Sequence, residues 1–193
     1  NLYKHAFALH DQGHTPNRMG VEVGKRVILG MNYRMNELTG AVALAQLRKL
    51  DALLDSLRAK KRKLKELIAD VPDIKFRKLN DPAGDCATIC TVIFEDAGKA
   101  ARVASALNNT TVDQSGWHVY ANMEHVTNYF KRMGQPYGKG AYPLTDDILS
   151  RSMNISIGVV DAGLGAGFGI NINSSDEDIE QAADAFRKAC ADA

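Results

Sequence analysis

Apolar positions follow a helical period up to about residue 70 and a shorter, mixed one beyond it. Residues 1–12 place Leu2, Ala6, Phe7 and Leu9 as an amphipathic helix does, and Gly13 stops them. Residues 14–35 hold no sustained period. Pro16, Gly20, Gly24 and Gly30 make this stretch a loop with one short strand around 26–29. Irregular stretches of this length in a compact protein are often functional. The strongest signal then runs over residues 36–69. Asn36 is placed as an N-cap, Glu37 suits the first turn, and Leu47, Leu50, Leu54, Leu57 and Leu64 mark one face. An uninterrupted helix of that extent would reach about 50 Å, long enough to join two bodies. Its first part (residues 40–45) is apolar nearly all round, which predicts burial; the second is wet on one side.

After Pro72 the pattern predicts strands over 73–80 and 88–95, flanking a turn at Pro82, Ala83, Gly84 and Asp85. A helix over 98–108 follows, with Ala101, Val103, Ala104 and Leu107 inward. Residues 109–117 are ambiguous, 117–120 are compatible with a strand, and 133–143 are loop. Thr145 is placed to cap a helix over 146–153. Strands are predicted over 154–160 and 169–173, around a turn at 161–167. Ser174 (with Glu177) or Ser175 (with Asp178) opens the last helix, whose inner face carries Ile179, Ala182, Ala183, Phe186 and Cys190. The region after residue 70 therefore reads as an α/β or α+β domain of βαβ-like pattern.

Composition narrows the function classes. The 193 residues carry 24 Lys+Arg against 23 Asp+Glu, a formal net charge of +1, which argues against a polybasic nucleic-acid binder and an acidic disordered tail. No apolar run suits a bilayer crossing. Cys86, Cys90 and Cys190 form no C-x-x-C pair, so neither a disulfide framework nor a zinc site is expected and a reducing cytoplasm is the simplest compartment. The first residues lack a signal-peptide pattern and look like a helix already under way, so the chain reads as part of a longer protein.

Candidate chemistry is sparse. The glycines at 163, 165, 167 and 169 alternate and lead into a strand-like Ile170, so they read as a flexible turn or flap rather than a dinucleotide fingerprint. Six cations (Arg58, Lys60, Lys61, Arg62, Lys63, Lys65) crowd eight residues of the long helix. They read first as a solvated face; the rival is a helical dimerisation module whose basic end binds nucleic acid. Histidine spacings do not suit a metal. Two segments remain. Asn32, Tyr33 and Arg34 put an amide, a phenol and a guanidinium just before a helix, and His118, Tyr120 and His125 gather in a second loop.

Read together, the pieces resemble a known family. Asn32, Tyr33, Arg34, Met35, Glu37 and Leu38, followed by Gln46, Leu47, Lys49, Leu50, Asp51, Arg58 and Arg62, look like the hallmark stretch of the DegT/DnrJ/StrS aminotransferases, PLP-dependent enzymes of fold type I acting on sugars and cyclitols. Leu2 and Tyr3 with His10 and Gly13 are similar to the helix and H-x-x-G that follow the cofactor lysine there. Pro143 to Arg151 with residues 153–157 resembles a late stretch of the same family. The resemblance implies the C-terminal part of such a transferase: residues 1–35 the end of the large PLP-binding domain, 36–69 a long connecting helix, and 70–193 a small domain with a short, largely antiparallel sheet. It further implies pyridoxal 5'-phosphate as cofactor and a Schiff-base lysine upstream of Asn1, so that this chain holds no catalytic residue and is inactive alone. Asn32 would reach the phosphate of the partner subunit's PLP in a homodimer with shared active sites. Tyr33, Arg34, His118, Tyr120 and His125 would face substrate. The implied reaction is ping-pong transfer of an amino group from glutamate or glutamine to a keto group of a nucleotide-linked sugar or a cyclitol, in the cytoplasm, with no metal, nucleic-acid or membrane partner.

Overall fold

A computed structural model describes residues 1–16, 26, 28–116 and 119–193. The chain divides into two units, residues 1–50 and 51–193. The first contains α1 (Leu2–His10) and α2 (Glu37–Leu47). α1 ends where expected. The strand expected at 26–29 falls partly on Val27, outside the described residues. Asn36 caps α2 as its sequence position predicts, its Oδ1 accepting from the Thr39 N–H at 2.8 Å.

The single helix expected over 36–69 is two. Lys49 N–H turns back to the Gln46 carbonyl at 3.0 Å, tightening the last turn of α2, and α3 (Leu50–Leu67) starts afresh. No glycine or proline lies between residues 41 and 71, so the break has no local signature. The burial expected for residues 40–45 is also corrected. No residue of α2 is buried, and Leu38, Val42, Leu44 and Leu47 are exposed.

In the second unit, β1 (Ile74–Phe76), β2 (Ile89–Phe94) and β3 (Ser152–Ser156) form an antiparallel sheet in the order β1-β2-β3. The βαβ-like pattern thus resolves as α+β, not as a parallel crossover. Along β2 burial alternates, turning Cys90, Val92 and Phe94 to one side. That side is covered by α3, α4 (Ala97–Ala106) and α7 (Asp176–Asp192), which give Leu57, Leu64, Ala100, Val103, Ala104, Ile179 and Phe186 to one core with Met153 and Ile155. The small residues of α4 let its backbone lie close to the sheet, while the Phe94 and Phe186 rings meet at 6.3 Å between centroids. Between the two serine options at the last helix, Ser175 caps it in a reciprocal box with Asp178. All five residues expected on its inner face are buried. The three cysteines are free, and burial pushes the Cys90 and Cys190 thiols up to about 11.

Other elements depart from the sequence pattern. The strand expected over 169–173 makes one parallel bridge, Ser156 with Gly169, continued by Ile172 N–H to the Gly158 carbonyl at 3.1 Å. Gly169 sits at φ +133°, and a Cβ there would lie 2.3 Å from the Ser156 carbonyl oxygen, so the contact requires glycine. The glycine run preceding it is a closed turn in which Asp161 and Ala166 exchange N–H···O bonds. The helix expected over 146–153 is α6 (Pro143–Ser150), opened by Pro143 at its first position instead of a Thr145 cap, and Ser152 already belongs to β3. α5 (Glu124–Arg132) has no counterpart in the sequence reading. Of the strand suggested at 117–120, Trp117 and His118 lie outside the described residues and Tyr120–Asn122 is a 3-10 turn.

The cations of α3 do not form a solvated face. Arg58 donates to the carbonyls of Asp85 (Nε, 2.9 Å) and Ala83 (Nη2, 2.9 Å), clamping the Pro82 turn. Lys60 donates to the Ser174 carbonyl. Lys61 is buried and pairs with Asp85 at 2.7 Å. Lys63 reaches Asp176 and Glu180 on α7, and Lys65 lies over the Phe76 ring at 4.6 Å. Five of the six thus bind α3 to the rest of its own unit.

Candidate active-site segments

In the first unit the chemistry-bearing residues are arranged by the end of α1. A helix leaves its last carbonyls without intrahelical donors. Here the returning chain supplies them: Gly13 N–H reaches the Ala8 carbonyl (2.7 Å), Met31 N–H the Leu9 carbonyl (2.8 Å) and Tyr33 N–H the His10 carbonyl (2.8 Å). The approach is so close that a Cβ on Gly30 would lie 2.1 Å from the Ala8 oxygen and 2.2 Å from the Gly13 nitrogen. Gly13 itself holds φ +80°. These two glycines let residues 31–33 run along the helix end, with Asp11 and Asn32 forming an isolated bridge.

That bridge gathers a polar cluster. Asp11 is buried, and its Oδ1 lies 3.1 Å from Arg34 Nε. The same Nε donates to Asn32 Oδ1 at 3.1 Å, and Nη2 donates to Gln12 Oε1 at 3.4 Å. Arg34 is therefore turned onto Asp11, Asn32 and Gln12 of its own unit through Nε and Nη2. Its fork fixes the Asn32 amide through the carbonyl oxygen, and the two N–H donors of that exposed amide remain available to an acceptor outside the cluster. Such a donor pair suits a phosphate oxygen and adds no charge of its own. Tyr33 is exposed beside it. Asp11 and Gln12 complete the cluster; the sequence reading saw them only as filler within the H-x-x-G resemblance.

The second unit holds the other segment. His118 lies outside the described residues. The Tyr120 hydroxyl donates to Asp146 Oδ1 at 2.6 Å and also lies 3.1 Å from the Gly138 carbonyl. Asp146 Oδ2 in turn accepts from the Gly140 N–H at 2.7 Å. The Tyr120 ring packs edge-on against Tyr137 and Tyr142, at 5.7 and 5.4 Å between centroids, and Tyr137 stacks on Phe130 of α5 at 4.8 Å. Tyr120 thus pins residues 137–142. The hydrogen bond to Asp146, with some burial, pushes the Tyr120 phenol up to about 12, while the same bond holds the Asp146 carboxyl below the usual range. His125 stands exposed in the first turn of α5 and does not join this cluster. Asp146 is the residue that sequence reasoning missed here; its place in the first turn of α6 was the available sign.

The Pro143 to Arg151 stretch turns out to be scaffold. Arg151 holds Asp147 two-pronged (Nη2 at 2.6 Å, Nε at 3.1 Å) and donates from Nη1 to the Phe94 carbonyl at 2.8 Å, fastening α6 to β2.

Comparison with known proteins identifies the fold and the family. The chain superposes on a 3-amino-5-hydroxybenzoic acid (AHBA) synthase with a TM-score of 0.67 at 17% identity, covering 99% of this chain and 47% of that one. It matches the aminotransferase TlmJ from Streptoalloteichus hindustanus with a TM-score of 0.66 at 17% identity, over 99% of this chain and 45% of TlmJ. It also matches Helicobacter pylori PseC, an aminotransferase involved in the biosynthesis of pseudoaminic acid, with a TM-score of 0.66 at 15% identity, over 100% of this chain and 47% of PseC. The chain spans less than half the length of each of these proteins, and at such identities the likeness establishes the fold, that of the fold type I aminotransferases. A family model matches residues 1–160, which include both candidate segments, and by that match the chain belongs to the DegT/DnrJ/EryC1/StrS aminotransferase family.

Proposed function

We propose that this chain is the C-terminal part of a PLP-dependent aminotransferase that moves an amino group from glutamate or glutamine to a keto-sugar, nucleotide-linked, or to a cyclitol. The observation that carries the reading is the Asn32 cluster: an outward amide held by Arg34, Asp11 and Gln12 at the end of α1, within the residues matched by the family model. Support for the substrate class comes from the solved relatives, one of them involved in pseudoaminic acid biosynthesis.

Asn32 would hold the cofactor phosphate through its two N–H donors, and Arg34 would act as a positioning residue, keeping that amide turned outward. PLP, when bound, supplies the electron sink for amino-group transfer. Tyr33 stands exposed next to Asn32, where a substrate group could meet its phenol. Tyr120, with Asp146, keeps the 137–142 loop in one shape, and His118 and His125 would face substrate from the chain around it. The cofactor lysine, the second copy of a homodimer and the remaining half of the fold would complete the site, in a cytoplasmic enzyme. The exposed apolar face of α2 suits that reading, because in a protein of twice this length such a face has neighbours to cover it.

Equilibrium dialysis of PLP against the whole protein tests the proposal. A hydrogen bond to a charged group is worth about 1.5–3 kcal/mol, so Asn32→Ala should weaken PLP binding roughly 10- to 100-fold. Unchanged PLP affinity in that variant would remove Asn32 from the site, and a whole protein that binds no PLP would end the proposal.

A further inference from the structure

A cavity of about 500 Å³ lies in the second unit between α3 and the chain from Phe76 to Ala87, within the size range of small-molecule sites. Its α3 wall is set by helical spacing: residues 58, 61, 62 and 65 fall on one face, and Ala69 follows just past the helix end. The opposite wall is apolar, with Phe76, Leu79 and Pro82. Four cations and two carboxylates, Glu66 and Asp85, line the space, so positive charge exceeds negative there although the chain as a whole is near neutral.

The charges on the α3 wall are not equivalent. Arg58 is committed to the carbonyls of residues 83 and 85, and Lys65 rests on Phe76. Lys61 is only 8% exposed, and its ammonium makes a single hydrogen bond, to Asp85 Oδ2, with one of its three N–H donors. A buried ammonium is costly unless its donors meet acceptors. Arg62, one residue on, lines the same cavity with a guanidinium that makes no hydrogen bond or ion pair among the described residues. Two buried donors and a free planar fork thus border an apolar floor. We propose that this groove binds a small organic anion, an apolar ring or acyl body bearing a phosphate or carboxylate, with the head on Lys61 and Arg62 and the body on Phe76, Leu79 and Pro82. The site is lined wholly by residues 58–87, which include neither Asn32 nor Tyr120, and does not rest on the reading of the enzyme's reaction.

Amide chemical shifts of Phe76, Leu79 and Ala87 report the groove. Phenyl phosphate and 3-phenylpropionate serve as anionic probes, with benzyl alcohol and inorganic phosphate as controls. At least one anionic probe should shift those amides saturably at millimolar concentration, about tenfold more tightly than either control. Arg62→Gln, an exposed helical position whose side chain holds nothing in place, should weaken that binding about fivefold with an unchanged far-UV spectrum. The proposal is overturned if neither anionic probe saturates, if a control binds as tightly, or if Arg62→Gln binds like the parent protein.

Discussion

Replacing Asp85 separates a structural role for the α3 cations from a merely solvated one. The Lys61 ammonium and the Asp85 carboxylate lie 2.7 Å apart, with side chains only 10% and 17% exposed. At an effective dielectric of 20 their gross attraction is about 6 kcal/mol, and it is offset by a desolvation cost of several kcal/mol per ion. Burial accordingly pushes the Asp85 carboxyl up, but the Lys61 hydrogen bond, the Ala87 N–H and the Lys61 and Arg77 charges outweigh it and leave the group below its ordinary value. The net worth of the pair is small, yet the cost of breaking it is not. Asp85→Ala leaves a buried ammonium without a carboxylate and should cost about 3 kcal/mol. Lys61→Met keeps the methylene stem and leaves Asp85 its Ala87 N–H, at a cost of about 1–2 kcal/mol. The double variant should fall within about 1 kcal/mol of the parent, because no charge is then stranded. Urea unfolding followed by far-UV circular dichroism measures all three, compared by midpoint at equal slope. Additive single and double variants, or an Asp85→Ala midpoint equal to the parent's, would refute the reasoning.

Other consequences can be checked on the same protein. Tyr120 has a phenol raised to about 12 in the fold, so its contribution to stability is complete below the ordinary tyrosine value near 10 and is lost as pH rises through 12; tyrosinate absorbance should show one late-ionising group that Tyr120→Phe removes. Asp70 is held down at about 2 by the Arg187 fork and its own backbone N–H, so its contribution is complete above the ordinary carboxylate value near 4 and is lost as pH falls through 2. Asp70→Asn should flatten the acid limb of the stability curve between those values. Gly30→Ala should open the junction between α1 and residues 31–33, seen as faster hydrogen exchange at the Met31 and Tyr33 amides, since the added Cβ meets backbone that cannot yield.

How much was legible in the sequence depended on whether the cause was local. The caps were read well, because Asn36 and Ser175 act on N–H groups three residues away. The inner face of α7 was legible for the same reason. The break at Lys49 was not, since nothing between residues 41 and 71 differs from a good helix former in a way that marks it. The Thr145 cap lost to Pro143, whose fixed φ suits the first helical position. α5 was missed because its nine residues are short and polar, with the Phe130 face packed against Tyr137 from a distant loop. The alternation that suggested a strand at 169–173 survives only as hydrogen bonds along 156–158, where a glycine at positive φ interrupts regular pairing.

The candidate site divides along the same line. The residue types at 32–34 were legible, and an anion is the target they suggest, but the direction of each side chain was not legible. Arg34 is the most strongly charged group of the segment, and charge alone assigns it to the ligand. The buried Asp11 carboxylate, brought alongside by the Gly13 and Gly30 turn, takes that charge instead, and the uncharged Asn32 is left facing outward. A sequence reveals which groups can bind an anion; which one is free to do so is decided by the counter-charge that the fold delivers. The α3 cations follow the same rule, with five of six drawn inward by carbonyls, carboxylates and a ring, and Arg62 left over the groove.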